Sequence, residues 1–410
     1  MRRSLEQQRA RERLAGLMLI AAAGAALVAT NSPLADAYHS LVHFKLGVTL
    51  PRIGELDIHG LVVDGLMAVF FLLVGLEVKR EWFAGQLASR EARRLPIIAA
   101  VAGMAVPALI YLAVAWNQPQ LNRGWAVPTA TDIAFAVAVL AILGSRAPPS
   151  IKVLLIAVAI VDDIGAVALI ALFYTDSLDV PALATALGLV AGLATANLLG
   201  VRRRLFYLAG FLVLWWFVLK SGIHPTIAGV LAGATVPLDK GERHSTLERL
   251  EHDLHPLVMF AIVPLFGFVS AGVALGGGGA SLLTPLPLAI ALGLFVGKQA
   301  GVFGAVRLAA AAGLCSKPAG ASWMQIYGAA LLTGIGFTMS LFIADLAFDS
   351  AAELEAAKLG VLAGSLLAAL AGWLVLRIAP QQHTSAGHDI DEAERIFGQH
   401  EGPDEAEDTT

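Results

Sequence analysis

The chain has 410 residues, of which 57% are hydrophobic and only 15% charged, and its mean hydropathy is +0.73. These values lie outside the usual range of soluble domains and predict an integral membrane protein. The formal net charge of −4 hides an acidic C-terminal segment and basic loops, and neither end has the basic patch typical of nucleic-acid-binding proteins. The single cysteine, Cys315, excludes an internal disulfide framework, and we interpret it as a small apolar packing residue.

The first 29 residues combine a basic region with an apolar one, as signal peptides do. Because many apolar segments follow, we interpret this region as an uncleaved first helix. We expect a cytoplasmic N-terminal segment over 1–13, one transmembrane domain over 14–382, and an acidic, disordered cytoplasmic tail over 383–410.

Twelve apolar windows are long enough, or nearly so, to cross a bilayer as helices. They lie near 14–31, 59–78, 95–116, 124–143, 151–173, 181–199, 205–219, 223–236, 256–275, 286–306, 325–346 and 359–380. The seventh and eighth are short, so the count can change by a pair. A polar stretch between the first two windows has short alternating runs, which favour either a two-stranded hairpin or an irregular loop.

Positive charge is distributed unevenly between the loops. Of the 28 Lys and Arg residues, 22 fall in the N-terminal segment, the C-terminal segment and every second loop, and 5 fall in the other loops. Cytoplasmic loops retain positive charge, so we predict that both termini are cytoplasmic.

Four charged residues stand out inside these apolar windows. Asp162 and Asp163 stand near the middle of the fifth window, Lys298 is in the tenth, and Asp132 is in the fourth. Charges at this depth are costly and usually mark a functional site. The two adjacent acids leave a surplus of negative charge that cations or protons can balance, although a purely structural pairing with basic groups is the simpler alternative.

Lys298 can pair with either Asp162 or Asp163. Glycines surround it and should allow another helix to approach closely: Gly293, Gly297, Gly301 and Gly304. We therefore expect the tenth helix to bring the ammonium group to one of these carboxylates.

Two windows contain helix-breaking residues near their middle. In the fourth, Pro128, Thr129 and Thr131 precede Asp132, and in the eleventh Gly334 and Gly336 flank an isoleucine. One broken helix in each half of a chain indicates a midplane binding site in a secondary transporter.

Charged groups can compensate the broken ends. We expect the carboxylate of Asp132 to offset the positive N-terminal ends and the ammonium group of Lys298 the negative C-terminal ends. Carboxylates, the Thr131 hydroxyl and freed carbonyls are hard oxygen ligands, which suit a small alkali cation or protons.

Five motifs in order, LMAVFFLLVGLEVKREW, PTATDIAFAVAVL, AIVDDIGAVALIALFY, LEHDLHPLV and GIGFTMSLFIADLAF, resemble the bacterial Na⁺/H⁺ antiporter family NhaA over residues 10–382. The resemblance implies an all-α membrane protein with inverted repeats and twelve helices, of which the fourth and eleventh are broken and cross at mid-membrane. It also implies a cytoplasmic funnel that ends at the aspartate pair. No cofactor is implied.

The resemblance assigns roles to these residues. Asp163 would be the principal cation ligand, and Asp162 the second carboxylate, paired with Lys298 when no cation is bound. Asp132 and Thr131 stand where the family has its fourth-helix acid and hydroxyl. Family members exchange more than one proton for each Na⁺ or Li⁺ and are activated as cytoplasmic pH rises.

A pH-response region is implied at the cytoplasmic ends of the second and ninth helices, where histidine chemistry suits neutral pH. Its residues here are Glu77, Arg80, Glu81, Glu251, His252 and His255. An ordinary solvated helix end is the alternative for the last three. The resemblance further implies a homodimer joined through an outer hairpin at residues 43–60, in the bacterial inner membrane.

Three positions depart from the family pattern: Gln299 replaces a common proline, Ser270 replaces a common Asn, and Asp345 is an additional acid. They remove no proposed ligand but leave ion preference and pH profile open.

Two other functions are compatible with parts of the pattern. An intramembrane aspartyl protease could use Asp132 and Asp162, but the adjacent acids, Lys298 and the missing GxGD motif favour a transporter, not an enzyme. A sodium-coupled symporter would need a pocket for an organic solute, which a sequence cannot reveal.

Overall fold

The computed structural model describes residues 2–146, 148–175, 177–239, 245–275 and 281–380, so the predicted acidic tail lies outside the described residues. Helices dominate. They are α1 Arg2–Thr30, α2 Ala35–Val42, α3 Ile58–Gly60, α4 Met67–Phe83, α5 Arg90–Val114, α6 Ile133–Leu143, α7 Pro149–Phe173, α8 Val180–Leu198, α9 Arg204–Ser221, α10 Ile227–Thr235, α11 Thr246–Leu257, α12 Val263–Ser270, α13 Pro285–Leu292, α14 Lys298–Ala311, α15 Trp323–Leu332, α16 Phe337–Ala347 and α17 Ala351–Ile378. Wider π-helical turns at Leu61–Leu66, Val258–Ile262 and Gly293–Gly297 join α3 to α4, α11 to α12 and α13 to α14.

The prediction of a multi-span helical membrane protein is confirmed. Within the described ranges, ten helical segments are long and apolar enough to cross a membrane, and the bent pair Pro119–Thr129 and Ile133–Leu143 makes an eleventh. Large apolar side chains such as Leu172 and Leu205 are 75% and 79% exposed, as expected for surfaces that face lipid.

The predicted eighth span is shorter than expected. Only Ile227–Thr235 is helical within it, and nine residues cover about 14 Å, roughly half of a bilayer core. This helix packs against α4 so closely that a Cβ on Gly229 would lie 2.3 Å from the carbonyl oxygen of Ala68. The sequence marks this window as short, and the three residues just before the helix, 224–226, are not apolar and add no helical length.

The hairpin prediction is confirmed: β1 Lys45–Leu50 pairs antiparallel with β2 Gly54–Asp57. In the turn, the guanidinium group of Arg52 donates to the carbonyl oxygens of Lys220 at 2.9 Å and Ser177 at 2.8 Å. Partial burial raises the pKa of the Asp57 carboxyl, but hydrogen bonds from the Gly60 N–H and His43 outweigh it and hold this pKa below its ordinary value. The hairpin is thus fixed to the loops that follow the fifth and seventh spans, and these define one side of the protein, called here the hairpin side.

Both predicted helix interruptions are present, at 130–132 between a 3₁₀ segment and α6, and at 333–336 between α15 and α16. The first bends the chain by 44°, whereas the second interrupts the span without a comparable bend. The two breaks touch, because the backbone N–H of Asp132 donates to the carbonyl oxygen of Ile335 at 2.6 Å. A backbone N–H group that lacks a helical partner at one break therefore forms a hydrogen bond with a carbonyl group that lacks one at the other.

The glycines around Lys298 allow α5 to approach closely, as expected, at three of four positions. A Cβ on Gly297 would lie 2.7 Å from the Cα of Pro107, and one on Gly301 would lie 2.4 Å from the carbonyl oxygen of Ala102. At Gly293 an added Cβ would lie 3.3 Å from the carbonyl oxygen of Pro107 in α5, and closer still, 2.6 Å, to the side chain of Pro128 in the 3₁₀ segment. The expectation is wrong for Gly304, where an added Cβ meets nothing within 4 Å.

This contrast gives a matched pair of substitutions. Gly301→Ala should force α5 and α14 apart and lower the free energy of unfolding by about 1–3 kcal/mol. Gly304→Ala should leave it unchanged or raise it slightly, since alanine favours helix. The midpoint of thermal unfolding in detergent measures both, and equal midpoints would contradict the close contact at Gly301.

Candidate ion-binding site

The centre of the site is an ion pair with no exposure to solvent. Asp162, midway along α7, and Lys298, the first residue of α14, are both 0% exposed. The Oδ2 atom of Asp162 accepts hydrogen bonds from Lys298 Nζ at 2.5 Å and from the hydroxyl of Thr131 at 2.6 Å. Of the two acids that Lys298 could meet, the structure pairs it with Asp162.

Asp163 points away from this pair, as adjacent helical residues must. It is 2% exposed, and its Oδ1 atom has no hydrogen-bond partner among the described residues; the same holds for Oδ1 of Asp162. Buried carboxylate oxygens are nearly always satisfied, so two orphaned ones side by side fit a site for a cation or protons. The resemblance implies a cytoplasmic funnel that ends at this pair of acids. In this conformation, however, solvent has almost no access to Asp163.

Asp132 joins the two broken helices. Its side chain caps α6, where Oδ1 accepts from the N–H of Phe135 at 2.9 Å. Its Oδ2 atom accepts from the N–H and the hydroxyl of Thr338, at 3.0 and 2.5 Å, at the start of α16. Asp132 therefore offsets the positive ends of both helices, as expected from the sequence.

The expectation that Lys298 offsets the negative helix ends stays a prediction, because the described hydrogen bond joins Lys298 to a carboxylate instead. That carboxylate belongs to Asp162, while the carbonyl oxygen of Thr333, just beyond α15, is reached by the Thr131 hydroxyl at 2.8 Å. An ammonium group gains more from a full negative charge than from a half-dipole, so the carboxylate is the stronger partner.

Sequence reasoning missed the hydroxyls that complete the crossing of the two breaks. Thr338 binds Asp132, Ser340 donates to the carbonyl oxygen of Val127 at 2.7 Å, and Ser365 of α17 accepts from the N–H of Gly336 at 3.2 Å. The signal for Thr338 was its position two residues after a break, where a hydroxyl serves a helix end. Ser365 lies in another span, and no local pattern indicates it.

Three carboxylates and one ammonium group are thus buried together. If Asp132, Asp162 and Asp163 are all ionised, Lys298 balances only one of them. Among the described residues, no three His, Cys, Asp or Glu side chains converge as a metal-ion cluster. The geometry suits a weakly held cation bound by two carboxylates with hydroxyl and carbonyl oxygens, or protons on the same acids.

The predicted pH-response residues form a second cluster on α4 and α11. Arg80 bridges two acids: its Nε atom lies 2.9 Å from Glu251 Oε2, and its Nη1 atom lies 2.8 Å from Glu81 Oε1. Glu77 interacts electrostatically with this cluster and with Asp163. His252 and His255 stand at exposed positions of α11, and His255 interacts electrostatically with Arg80 and with His252.

Comparisons with known proteins agree with this arrangement. The family model described as Na⁺/H⁺ antiporter 1 matches residues 6–376. Curated relatives include the Na⁺/H⁺ antiporter NhaA of Sphingopyxis alaskensis, 53% identical over 90% of this chain and 89% of its own length. The NhaA of Rhizorhabdus wittichii is 57% identical over 86% of this chain and 92% of its own length, and that of Pseudomonas entomophila is 54% identical over 92% and 96%. The chain belongs to the Na⁺/H⁺ antiporter 1 family, a family of multi-pass membrane proteins.

Proposed function

We propose that this protein is an electrogenic, pH-regulated antiporter that exports Na⁺, and also Li⁺, in exchange for external protons. The observation that carries the proposal is the buried Asp162–Lys298 pair beside Asp163, whose Oδ1 atom has no partner among the described residues. A transporter role, and not an enzymatic one, is proposed because the relatives of this chain are named Na⁺/H⁺ antiporters.

Exchange requires that one site hold a cation or protons, but not both. In the proposed cycle, Asp163 and Asp162 lose their protons and bind Na⁺ from the cytoplasm. Na⁺ then competes with Lys298 for the single negative charge of Asp162, whose Oδ2 atom holds the ammonium group at 2.5 Å. On the other side of the membrane, protons bind Asp163 and Asp162 and displace Na⁺, and the ion pair with Lys298 forms again when Asp162 next loses its proton.

Thr131 supports this exchange because it has a single hydroxyl hydrogen. The Oγ1 atom lies 2.6 Å from Asp162 Oδ2 and 2.8 Å from the carbonyl oxygen of Thr333, and it can donate to only one of them at a time. When Asp162 is ionised, the hydroxyl donates to it. When Asp162 is protonated, its own O–H can donate to Thr131, which then donates to Thr333 and links the carboxylate to the break in the eleventh span.

The surplus of acids over bases supports electrogenic exchange. Two carboxylates that bind one Na⁺ can each leave with a proton, so more than one proton can move for each Na⁺. Counting charge across one turnover then gives net movement of positive charge, which a membrane potential can drive.

Regulation by pH is proposed at the cluster of Arg80, Glu81 and Glu251. Glu77 interacts electrostatically with both this cluster and Asp163, so a change of protonation at the surface can alter the field at the transport site. We propose that His252 and His255, which stand at exposed positions of α11, contribute to this response, since histidine chemistry suits neutral pH.

The remaining proposals concern assembly and orientation. We infer residence in the bacterial inner membrane with both termini cytoplasmic, from the distribution of Lys and Arg, and a homodimer joined through the hairpin near residues 43–60. We also propose that the transmembrane domain extends from residue 14 to residue 382. Deletion of 45–57 should halve the mass of the detergent-solubilised protein.

The decisive measurement uses everted vesicles that carry an imposed proton gradient. Adding Na⁺ without any organic solute should collapse the gradient, more strongly as the pH on the cytoplasmic face rises, and Li⁺ should act similarly. A requirement for an organic solute would favour the symporter, and no response to either ion at any pH would overturn the proposed function.

A further inference from the structure

A second buried polar cluster lies on the hairpin side, apart from the site described above. Asp345, near the end of α16, has a side chain only 5% exposed, and neither of its carboxylate oxygens has a hydrogen-bond partner among the described residues. The hydroxyl of Ser270, at the end of α12, is also buried without a partner and lies close enough to influence Asp345. The two positions stood out in the sequence separately, and the fold brings them together.

Two basic groups flank this carboxylate at ion-pair distances that are too long for hydrogen bonds. Lys358 Nζ of α17 lies 4.0 Å from Oδ1, and His59 Nε2 of α3 lies 3.8 Å from Oδ2. Asp64 is the other charged group that faces Asp345, and it is itself 3.2 Å from His224 Nε2. Ionised Asp345 therefore has two counter-charges and the nearby Ser270 hydroxyl to stabilise it, while neutral Asp345 needs no counter-charge, so both forms are accessible.

His59 connects this cluster to the solution. Its side chain is 22% exposed, whereas those of Asp345 and Lys358 are 5% and 10% exposed. The histidine follows directly after the hairpin, so its imidazole is the part of the cluster that solvent on the hairpin side can reach. Histidine is also the side chain best suited to exchange protons near neutral pH.

An apolar layer separates the cluster from the transport site. Thr338, which binds Asp132, and Asp345 lie two turns apart on the same face of α16, about 10 Å along its axis. Between them stand Leu341 and Phe342, both 0% exposed. The ring of Phe342 packs against those of Phe71, His224 and Phe266, with centroids 5.5, 5.2 and 6.3 Å away.

We propose that Asp345 is a second proton-binding site, which exchanges its proton with the solution on the hairpin side through His59 and is separated from the transport site by the Phe342 ring cluster. In the transfer, the Nε2–H bond of the His59 imidazolium breaks and an O–H bond forms on Asp345, so one positive and one negative charge disappear together. The 3.8 Å gap must shorten by about 1 Å, or one water molecule must carry the proton. Lys358 keeps the ionised form accessible for the return step.

The test compares wild-type protein with Asp345→Asn and Asp345→Glu in proteoliposomes, with the pH varied on the hairpin side only. Asp349→Asn is the matched control, because this nearby carboxylate is fully exposed. Asp345→Asn should shift the hairpin-side pH of half-maximal exchange by about one unit, whereas apparent Na⁺ affinity on the other face stays unchanged. Asp345→Glu and Asp349→Asn should keep the wild-type profile.

Infrared difference spectroscopy gives a readout that does not depend on transport. A carboxylic C=O band that titrates with pH should be present in wild-type protein and Asp345→Glu and absent from Asp345→Asn. The proteoliposome experiment rests on the proposed function, whereas the infrared experiment does not. If the wild type showed no exchange, the infrared band would still test whether Asp345 binds a proton. An unchanged spectrum, or lowered thermal stability with an unmoved pH profile, would show a structural ion pair only and overturn the proposal.

Discussion

Asp163→Asn should abolish Na⁺-driven proton release in everted vesicles, or weaken apparent Na⁺ affinity by about 100-fold or more. The asparagine keeps the size of the side chain but removes its charge, and contacts to a charged group contribute about 1.5–3 kcal/mol each, of which the upper value corresponds to about 100-fold in affinity. Among the described residues the Oδ1 atom of Asp163 has no partner to lose, so the fold should survive the change. The loss should therefore appear in exchange and not in the midpoint of thermal unfolding.

The matched control removes a carboxylate that stands outside the site. Asp179 caps α8 by accepting from the N–H of Ala182 at 3.0 Å, and asparagine caps helices equally well. Asp179→Asn should leave both exchange and stability at wild-type values. Wild-type apparent affinity for Na⁺ in Asp163→Asn would mean that the cation binds elsewhere.

The spans could be predicted because lipid imposes a strong local rule. Each helix must satisfy its own backbone and present an apolar surface, so hydropathy alone locates it. The rule is weakest for the eighth window, where Pro225 and the turn around it shorten the helix to Ile227–Thr235. Here tight packing of Gly229 on α4, which hydropathy does not register, accompanies a helix that covers only about half of a bilayer core.

The charged residues of the site were visible because burial makes each of them costly, but their pairing was not. Asp162 and Asp163 are equivalent in hydropathy, and only the orientation of α7 against α14 decides which one meets Lys298. Helical periodicity gives the angle of about 100° between adjacent side chains, but it does not give the rotation of the helix about its own axis. The resemblance to the family supplied that choice, and the geometry agrees with it.

Contacts that join distant parts of the chain were the least predictable. Ser365 supports the break at Gly336 from another helix, and Ser270 meets Asp345 although neither lies in a recognisable motif with the other. Composition marked Asp345 as unusual without indicating a partner. Such contacts depend on how whole helices pack, and no short window contains that information.

Lys298→Met should lower the free energy of unfolding by about 3–5 kcal/mol, because it leaves the carboxylate of Asp162 buried without its counter-ion. Methionine fills nearly the same volume, so the loss reports on charge and not on a cavity. The double variant Asp162→Asn/Lys298→Met should recover most of this loss, since neither charge then remains. The midpoint of thermal unfolding in detergent, measured for the wild type, both single variants and the double variant, gives the coupling between the two groups.

Sodium should distinguish the variants further. In the wild type Na⁺ must share the negative charge of Asp162 with Lys298, whereas in Lys298→Met it meets a carboxylate with no competitor, so Na⁺ should raise the unfolding midpoint of the variant more than that of the wild type. Lys45→Met is the control, because Lys45 pairs with Glu55 at the surface and is 69% exposed; its midpoint should match the wild type with and without Na⁺. If Lys298→Met were as stable as the wild type and no more responsive to Na⁺, Asp162 and Lys298 would not be paired in the absence of the ion, and competition at that carboxylate could not be the step that couples Na⁺ to protons.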